Sequence, residues 1–334
     1  MQGSWTPEKV LELTRGFQPA CVIVAGAELD VFTVLAKGAL DAAQVARKVA
    51  ADPRGTAVLL DALAALGLLE KREEAYGLAP GVGDILAEGG AASTLAMVRH
   101  QGNCLRRWSR LANVVRTGVP ADLPPSVRGE AADLASFIGA MDEINRASAD
   151  ALVASLEPRR FRRILDVGGA SGTWTIAFLR AAPLARATLF DRPEVVPMAR
   201  TRLAEAGVLD RVELVPGDFY VDQLPCGADL VWLSAIVHQN SREENRDLFR
   251  KSHEALLDGG LVAIRDIVME PGRTRPAMGA LFAVNMLVAT EGGGTFTFEE
   301  LAEDLRASGF VDAMHARKGE AMDSIVTARR RPGA

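Results

Sequence analysis

The chain has 334 residues, 49% of them hydrophobic, which is enough for two domains with buried cores. Its 43 acidic residues outnumber its 38 basic ones, for a net charge of -5, and this excludes the strongly cationic character that a nucleic-acid partner calls for. Three well-separated cysteines, Cys21, Cys104 and Cys226, fit neither a zinc site nor a disulfide framework and point to a reducing cytoplasm, while the absence of a basic-then-apolar leader and of any long apolar run argues against secretion or a membrane span.

From Lys9 to about Gly90 apolar residues recur at helical spacing, among them Val10, Leu13, Val22, Leu29, Phe32 and Leu35. Two short helices are predicted, Ala42 to Ala50 and Pro53 to Leu66, with Pro53 suited to a first helical turn. A hairpin follows, Leu68 to Lys71 and Ala75 to Leu78, so residues 1–90 read as a winged helix. Such folds often read DNA, but between Pro53 and Leu69 the only basic residue is Arg54, and the second helix therefore lacks the cations that touch phosphate. Residues 91–156 read as helical around Leu95 to Arg116 and Ala131 to Leu156, a linker that also covers the substrate. From residue 157 to 334 short β-rich runs alternate with helices, as in an α/β parallel sheet. Seven strands are predicted, at Ile164 to Val167, Ala187 to Phe190, Val212 to Val215, Leu230 to Ser234, Leu261 to Ile267, Phe310 to His315 and Ser324 to Ala328.

The first of these strands runs into a glycine-rich turn, Asp166-Val167-Gly168-Gly169-Ala170-Ser171-Gly172, and then into a helix from Thr173 to Ala181. Glycines let a ligand approach the backbone, and the helix start offers unpaired N–H groups. The dinucleotide fingerprint would need glycines at 168, 170 and 173, yet Ala170 and Thr173 stand at the last two. Asp166 beside the turn would repel a pyrophosphate and favour a phosphate-free cationic ligand, which describes S-adenosylmethionine. Asp191, ending the second strand before Arg192, suits a pair of ribose hydroxyls; Asp218 after the third suits an adenine amino group, with Phe219 packing on the base.

These residues give the chain its resemblance to the class I S-adenosylmethionine-dependent methyltransferases, specifically the dimeric small-molecule O-methyltransferases of plant phenolics and bacterial natural products. The motifs that carry it are Leu165 to Gly172, Phe190-Asp191-Arg192-Pro193, Gly217-Asp218-Phe219, Leu257-Asp258-Gly259-Gly260, and Asp61 to Leu69 in the first domain. The resemblance implies a Rossmann-like seven-stranded sheet whose final strand inserts antiparallel, an N-terminal dimerisation domain, a homodimer, and S-adenosyl-L-methionine as cofactor. Cofactor contacts are expected from Asp166, Gly168, Gly169, Gly172, Asp191, Arg192, Asp218, Phe219 and Ser234, the last standing where the family often carries a lysine.

Methyl transfer to a hydroxyl needs a base, and His238 follows the fourth strand at the edge where ligands bind. The resemblance implies that His238 deprotonates the acceptor; the alternative is a histidine that packs or caps at the start of the next helix. Asp266 falls at the first of two family glutamate positions and Thr295 at the second, while Gln239 and Asn240 replace the family's Asp and Trp. His253 and His315 read as ordinary packing residues, and His100 as either structural or cavity-lining. For a small, aromatic, hydroxylated acceptor the expected lining is Trp108, Met141, Asn145, Phe282, Asn285 and Met286. N-, C- or S-methylation on the same fold and a non-catalytic regulatory protein are the alternatives. Neither a metal nor a nucleic acid is expected.

Overall fold

Alternation along Ala228–Ser234 sends Leu230 and Trp232 to one side and Val231 and Leu233 to the other, so this segment needs cover on both faces and belongs in the middle of a sheet. The computed structural model, which describes residues 4–120 and 122–331, has it there. The sheet comprises β1 (Arg163–Val167), β2 (Arg186–Asp191), β3 (Val212–Pro216), β4 (Ala228–Ser234), β5 (Leu256–Asp266), β6 (Phe310–Arg317) and β7 (Ser324–Arg330). Their order is β6, β7, β5, β4, β1, β2, β3. Strands β1 to β5 run parallel, and β7 inserts antiparallel between β5 and β6.

All seven expected strands are present, and the largest change is in β5. The sequence places its start at Leu261, whereas pairing begins at Leu256 opposite Ala228, with a register shift before Leu261 meets Leu230. Gly259, at φ 76°, absorbs that irregularity, as glycines inside strands commonly do.

Five helices flank the strands: α1 (Thr173–Ala181), α2 (Val196–Glu205), α3 (Arg242–Ala255), α4 (Ala277–Ala289) and α5 (Phe298–Ala307). Helices α1 and α2 bury Trp174, Phe178, Ala199 and Leu203 on one face of the sheet, together with Leu152 and Val153. On the other face α3 and α5 bury Leu248, Phe249, Leu301 and Leu305. Ser241 and Thr297 start α3 and α5 as reciprocal capping boxes with Glu244 and Glu300. The chain leaves β1 towards β2 and β3 and later returns on the opposite side of β1 to form β4. The crevice beyond the carboxyl ends of β1 and β4 is therefore a topological switch point, the usual ligand position in such sheets.

Two compact units are formed, Met1–Arg106 with Leu123–Glu143, and Arg107–Asp122 with Ile144–Ala334. The residues read in sequence as a middle region, 91–156, are shared between these units. The predicted helical run Leu95 to Arg116 is two helices, Leu95–Trp108 and Leu111–Thr117, because the N–H of Arg110 turns back to the carbonyl of Arg107. The run from Ala131 is a single helix, Glu130–Ala154.

In the first unit, helices Ala42–Lys48 and Pro53–Ala65 pack with a three-stranded antiparallel sheet. Its central strand, Ala75–Leu78, pairs with Leu69–Arg72 and also with Leu40–Asp41, a strand too short to read from the sequence. Leu60 and Leu63 of the second helix are fully buried against Phe32 and Val45, which accounts for the apolar character of that helix. Among the described residues no helix is long and apolar enough to cross a membrane.

Candidate functional site

The glycine turn leaves β1 at the switch point. Gly168, Ala170 and Gly172 adopt φ of 67°, 47° and 81°, and the N–H of Gly168 still bonds to the carbonyl of Phe190 on β2. A Cβ on Gly169 would lie 2.6 Å from Leu189 Cγ, and one on Gly168 2.5 Å from Ile236 Cδ1. Gly169 is thus held to glycine by packing on Leu189 and Gly168 by its positive φ, beyond any need for ligand access.

Asp166, expected beside the turn, is buried against it. The residue is 1% exposed, and its Oδ2 accepts from the Thr175 hydroxyl at 2.6 Å. Burial, with a smaller push from Asp191, raises its carboxyl to about 7, against the opposing bond from Thr175. A ligand ammonium favours the ionised form. Affinity for S-adenosylhomocysteine is therefore expected to rise from pH 5.5 through about 7 and then level off. Asp166→Asn should flatten that rise; calorimetric titrations of the wild type that already show no pH dependence would remove Asp166 from the electrostatics of binding. For folding the sign reverses: the contribution of Asp166 to stability falls as pH climbs from the unfolded aspartate value near about 3.9 to about 7.

Asp191 ends β2 with Oδ2 accepting from Ala170 N–H and Oδ1 from Arg192 N–H, both at 2.7 Å, so it holds the turn in place. Burial raises its pKa, opposed by these two bonds. Arg192 engages the site through its backbone, whereas its exposed guanidinium pairs with Glu194. After β3, Asp218 Oδ1 accepts from Tyr220 N–H at 2.9 Å, and the rings of Phe219 and Tyr220 lie 4.6 Å apart. Lys251 of α3, which reads in sequence as an ordinary surface charge, is 4% exposed and donates to the carbonyls of Phe219 and Tyr220 at 2.7 and 3.1 Å. It pins the loop that carries Asp218.

His238 lies in a single turn, Val237–Gln239, just after β4. Its Nδ1 is 2.9 and 3.0 Å from the two carboxylate oxygens of Asp266 at the end of β5, and both residues are buried. Asp266 also accepts from the N–H of Ile267. With Nδ1–H donating its hydrogen bond to Asp266, Nε2 is left as the ring atom that can accept a proton. Ala235, at φ 58°, bends the chain between β4 and this turn, a strained conformation for a residue with a Cβ.

The turn is clamped from two sides. Asn245 Nδ2 donates to the carbonyl of Val237, and Asn240, held by Asn245, accepts from the hydroxyl of Tyr220. Gly294 N–H donates to the carbonyl of His238, from which a Cβ on Gly293 would stand only 2.6 Å away. Gly292, where a Cβ would lie 2.8 Å from Ser241 Cβ, and Gly293 are therefore needed for close approach, whereas a Cβ on Gly294 would meet nothing; the glycine run is visible in the sequence but not connected there to His238. Thr295 beside it is buried, with its carbonyl accepting from Arg273.

Ser234 at the end of β4 accepts from Arg265 Nη1 at 2.9 Å, and Arg265 Nη2 donates to Asn145 at 2.7 Å. A positive charge is thus present where the resemblance implies a lysine, supplied from the neighbouring strand. Arg265 was missed in the sequence, although a charged residue closing the apolar run Leu261 to Ile264 was the available clue.

Among the expected acceptor-lining residues, Phe282 meets His238 edge-on with ring centroids 4.8 Å apart. Asn285, one helical turn later on α4, accepts from Trp108 Nε1 at 2.9 Å. Met286 is buried at 6% exposure, and Met141 belongs to the other compact unit. His253 packs on Phe310 and His315 on Phe298, and burial lowers the pKa of both. His100 contacts Cys104 and the ring of Phe137.

Acidic side chains at the ends of β1 and β2 and just beyond β3 suit an adenosyl ligand that has no phosphate and carries positive charge. Residues 126–311 match the O-methyltransferase domain, and residues 11–88 match the O-methyltransferase dimerisation domain. The chain is 32% identical over 320 residues to the tetracenomycin polyketide synthesis 8-O-methyl transferase TcmO of Streptomyces glaucescens, covering 92% of each protein. It is 27% identical to the solved human N-acetylserotonin methyltransferase in complex with S-adenosylmethionine, with a TM-score of 0.81 over 99% of this chain and 100% of that one. The solved N,N-8-amino-8-demethyl-D-riboflavin dimethyltransferase from Streptomyces davawensis is likewise 27% identical, with a TM-score of 0.78 over 99% and 100% of the two chains.

Proposed function

Since the chain belongs to the S-adenosylmethionine-dependent O-methyltransferase family, we propose that it methylates a hydroxyl on a small aromatic molecule, with His238 as the base. The observation that carries this reading is the buried His238–Asp266 pair at the carboxyl edge of β4 and β5. The bound cofactor supplies an electrophilic methyl group on a sulfonium. Asp266 fixes the imidazole with its proton on Nδ1, and Nε2 takes the hydroxyl proton as the acceptor oxygen bonds to the methyl carbon and the carbon–sulfur bond breaks. A methyl ether and S-adenosylhomocysteine result, with the proton left on His238.

The aromatic preference rests on Phe282 against the imidazole and on Trp108, whose indole is tied to Asn285 one turn away. Such a surface suits a flat ring that carries a few polar groups. The names of the tetracenomycin and acetylserotonin relatives point the same way. The riboflavin-type relative keeps an amino acceptor as the second reading. Methyl-label transfer to a panel of phenols, catechols, amines and thiols, read by mass spectrometry, separates the two: label on a phenolic oxygen is expected, and label on nitrogen alone would overturn the hydroxyl assignment.

The chain's partner in this reading is a second copy of itself. The first helix, Pro7–Arg15, leaves Val10, Leu11 and Leu13 exposed, with Trp5 and Phe17 on either side, and burying such side chains is the usual work of a dimerisation domain. Light scattering is expected to give twice the chain mass. Three unbridged cysteines and the bacterial natural-product relative fit a cytoplasmic enzyme without a nucleic-acid partner.

A further inference from the structure

Arg265 is 4% exposed, yet among the described residues its hydrogen-bond and stacking partners are all neutral. Nη1 donates to the Ser234 hydroxyl, Nη2 to the Asn145 side-chain oxygen, and the guanidinium stacks on the Trp174 ring at 4.5 Å. Its Nε is buried and, among the described residues, has no hydrogen-bond partner. Among the described residues no carboxylate forms an ion pair with it. Burial pulls its pKa down to about 10, with Asp266 and Asp323 opposing from a distance. A buried cation without a counter-charge is strongly destabilising, which makes it a receptor for an anion.

The sheet register says where that anion would sit. Ser234 is paired with Arg265, and it follows Leu233, which is paired with Val167, the residue before Gly168. Gly168, Ser234 and Arg265 thus stand in one row at the carboxyl edge, with neighbouring strands about 4.8 Å apart. In the row two residues earlier Asp166, Trp232 and Ala263 are paired, so by alternation Arg265 shares the face of Asp166. That face is covered by α1, the helix that leaves the glycine turn and carries Trp174. The cation therefore lies beside the turn, where Asp166, Asp191 and Asp218 can answer only the ammonium, ribose and adenine of the cofactor. One charged group of S-adenosylmethionine, its α-carboxylate, has no acidic partner it could tolerate.

We infer that Arg265 holds the methionyl carboxylate of the cofactor, with Ser234 and Asn145 orienting its guanidinium. This rests on the cofactor being S-adenosylmethionine. Calorimetry with the full chain tests it through three ligands: S-adenosylhomocysteine, its decarboxylated analogue, and 5′-methylthioadenosine, which lacks the amino-acid end. Arg265→Met should weaken S-adenosylhomocysteine roughly 10- to 100-fold while leaving methylthioadenosine within about threefold, and Arg265→Lys should recover part of the loss. Equal weakening of both ligands, or no weakening of either, overturns the assignment. The wild type supplies a test that needs no variant: it should bind the decarboxylated analogue roughly 10- to 100-fold more weakly than S-adenosylhomocysteine, and equal affinity would overturn the inference. A wild type that binds none of the three would instead overturn the cofactor premise itself.

Discussion

Replacing His238 with Ala is expected to lower kcat about 10²- to 10⁴-fold, the range that a positioned general base contributes. S-adenosylhomocysteine should still bind within about threefold of the wild type, because His238 acts on the acceptor and not on the adenosyl ligand. The imidazole is set for this work by both Asp266 oxygens at Nδ1, by the ring edge of Phe282, and by the clamp of Asn245 and Gly294 on its backbone. Asp266→Asn should lower kcat in the same direction, since an amide no longer holds the proton on Nδ1. Turnover of the true acceptor by His238→Ala at near the wild-type rate would remove the base from the mechanism, and an amine acceptor would be its natural explanation.

The second large effect is on stability. Trp232 is fully buried on β4, with its ring centroid 5.3 Å from those of both Trp174 and Phe178. Its strand neighbours in register are Asp166 and the small Ala263, so no flanking side chain can fill the space that an alanine would leave. Trp232→Ala should cost about 3–5 kcal/mol, a drop of roughly 6–20 °C in the melting midpoint of the catalytic unit. Among the described residues the indole N–H has no hydrogen-bond partner, so the loss is one of packing, and Trp232→Phe should recover much of it. Thermal unfolding followed by circular dichroism checks this. A midpoint unchanged by the alanine would mean that the face between β4 and α1 collapses freely around the missing ring.

The cofactor site was legible because its parts are local. The turn after β1 and the acidic residues after β1, β2 and β3 each announce themselves by a strand, a glycine or a carboxylate within a few residues. Short apolar, β-rich runs between helices were likewise enough to find all seven strands, since a sheet covered on both faces leaves continuous apolar runs. What escaped is what depends on register and burial. Lys251 reads as one more charge on a polar helix until its head is seen bonding the Phe219 and Tyr220 carbonyls. Arg265 reads as one charge inside the strand Leu261 to Ile267 until pairing sets it beside Ser234 and Trp174 covers it.

By itself, the sequence determined the α/β sheet, the winged-helix unit and the phosphate-free cofactor, and it singled out His238 as the candidate base, because periodicity and short motifs encode each of these within one element. Only the tertiary structure decided that Asp166 is buried and bonded to Thr175, that Asp266 meets His238 across 28 residues of chain, and that Arg265 of β5 is bonded to Ser234 of β4. Those features arise where strands distant in sequence are brought level, and both the charge state of a buried group and its partners are set by what the fold packs around it.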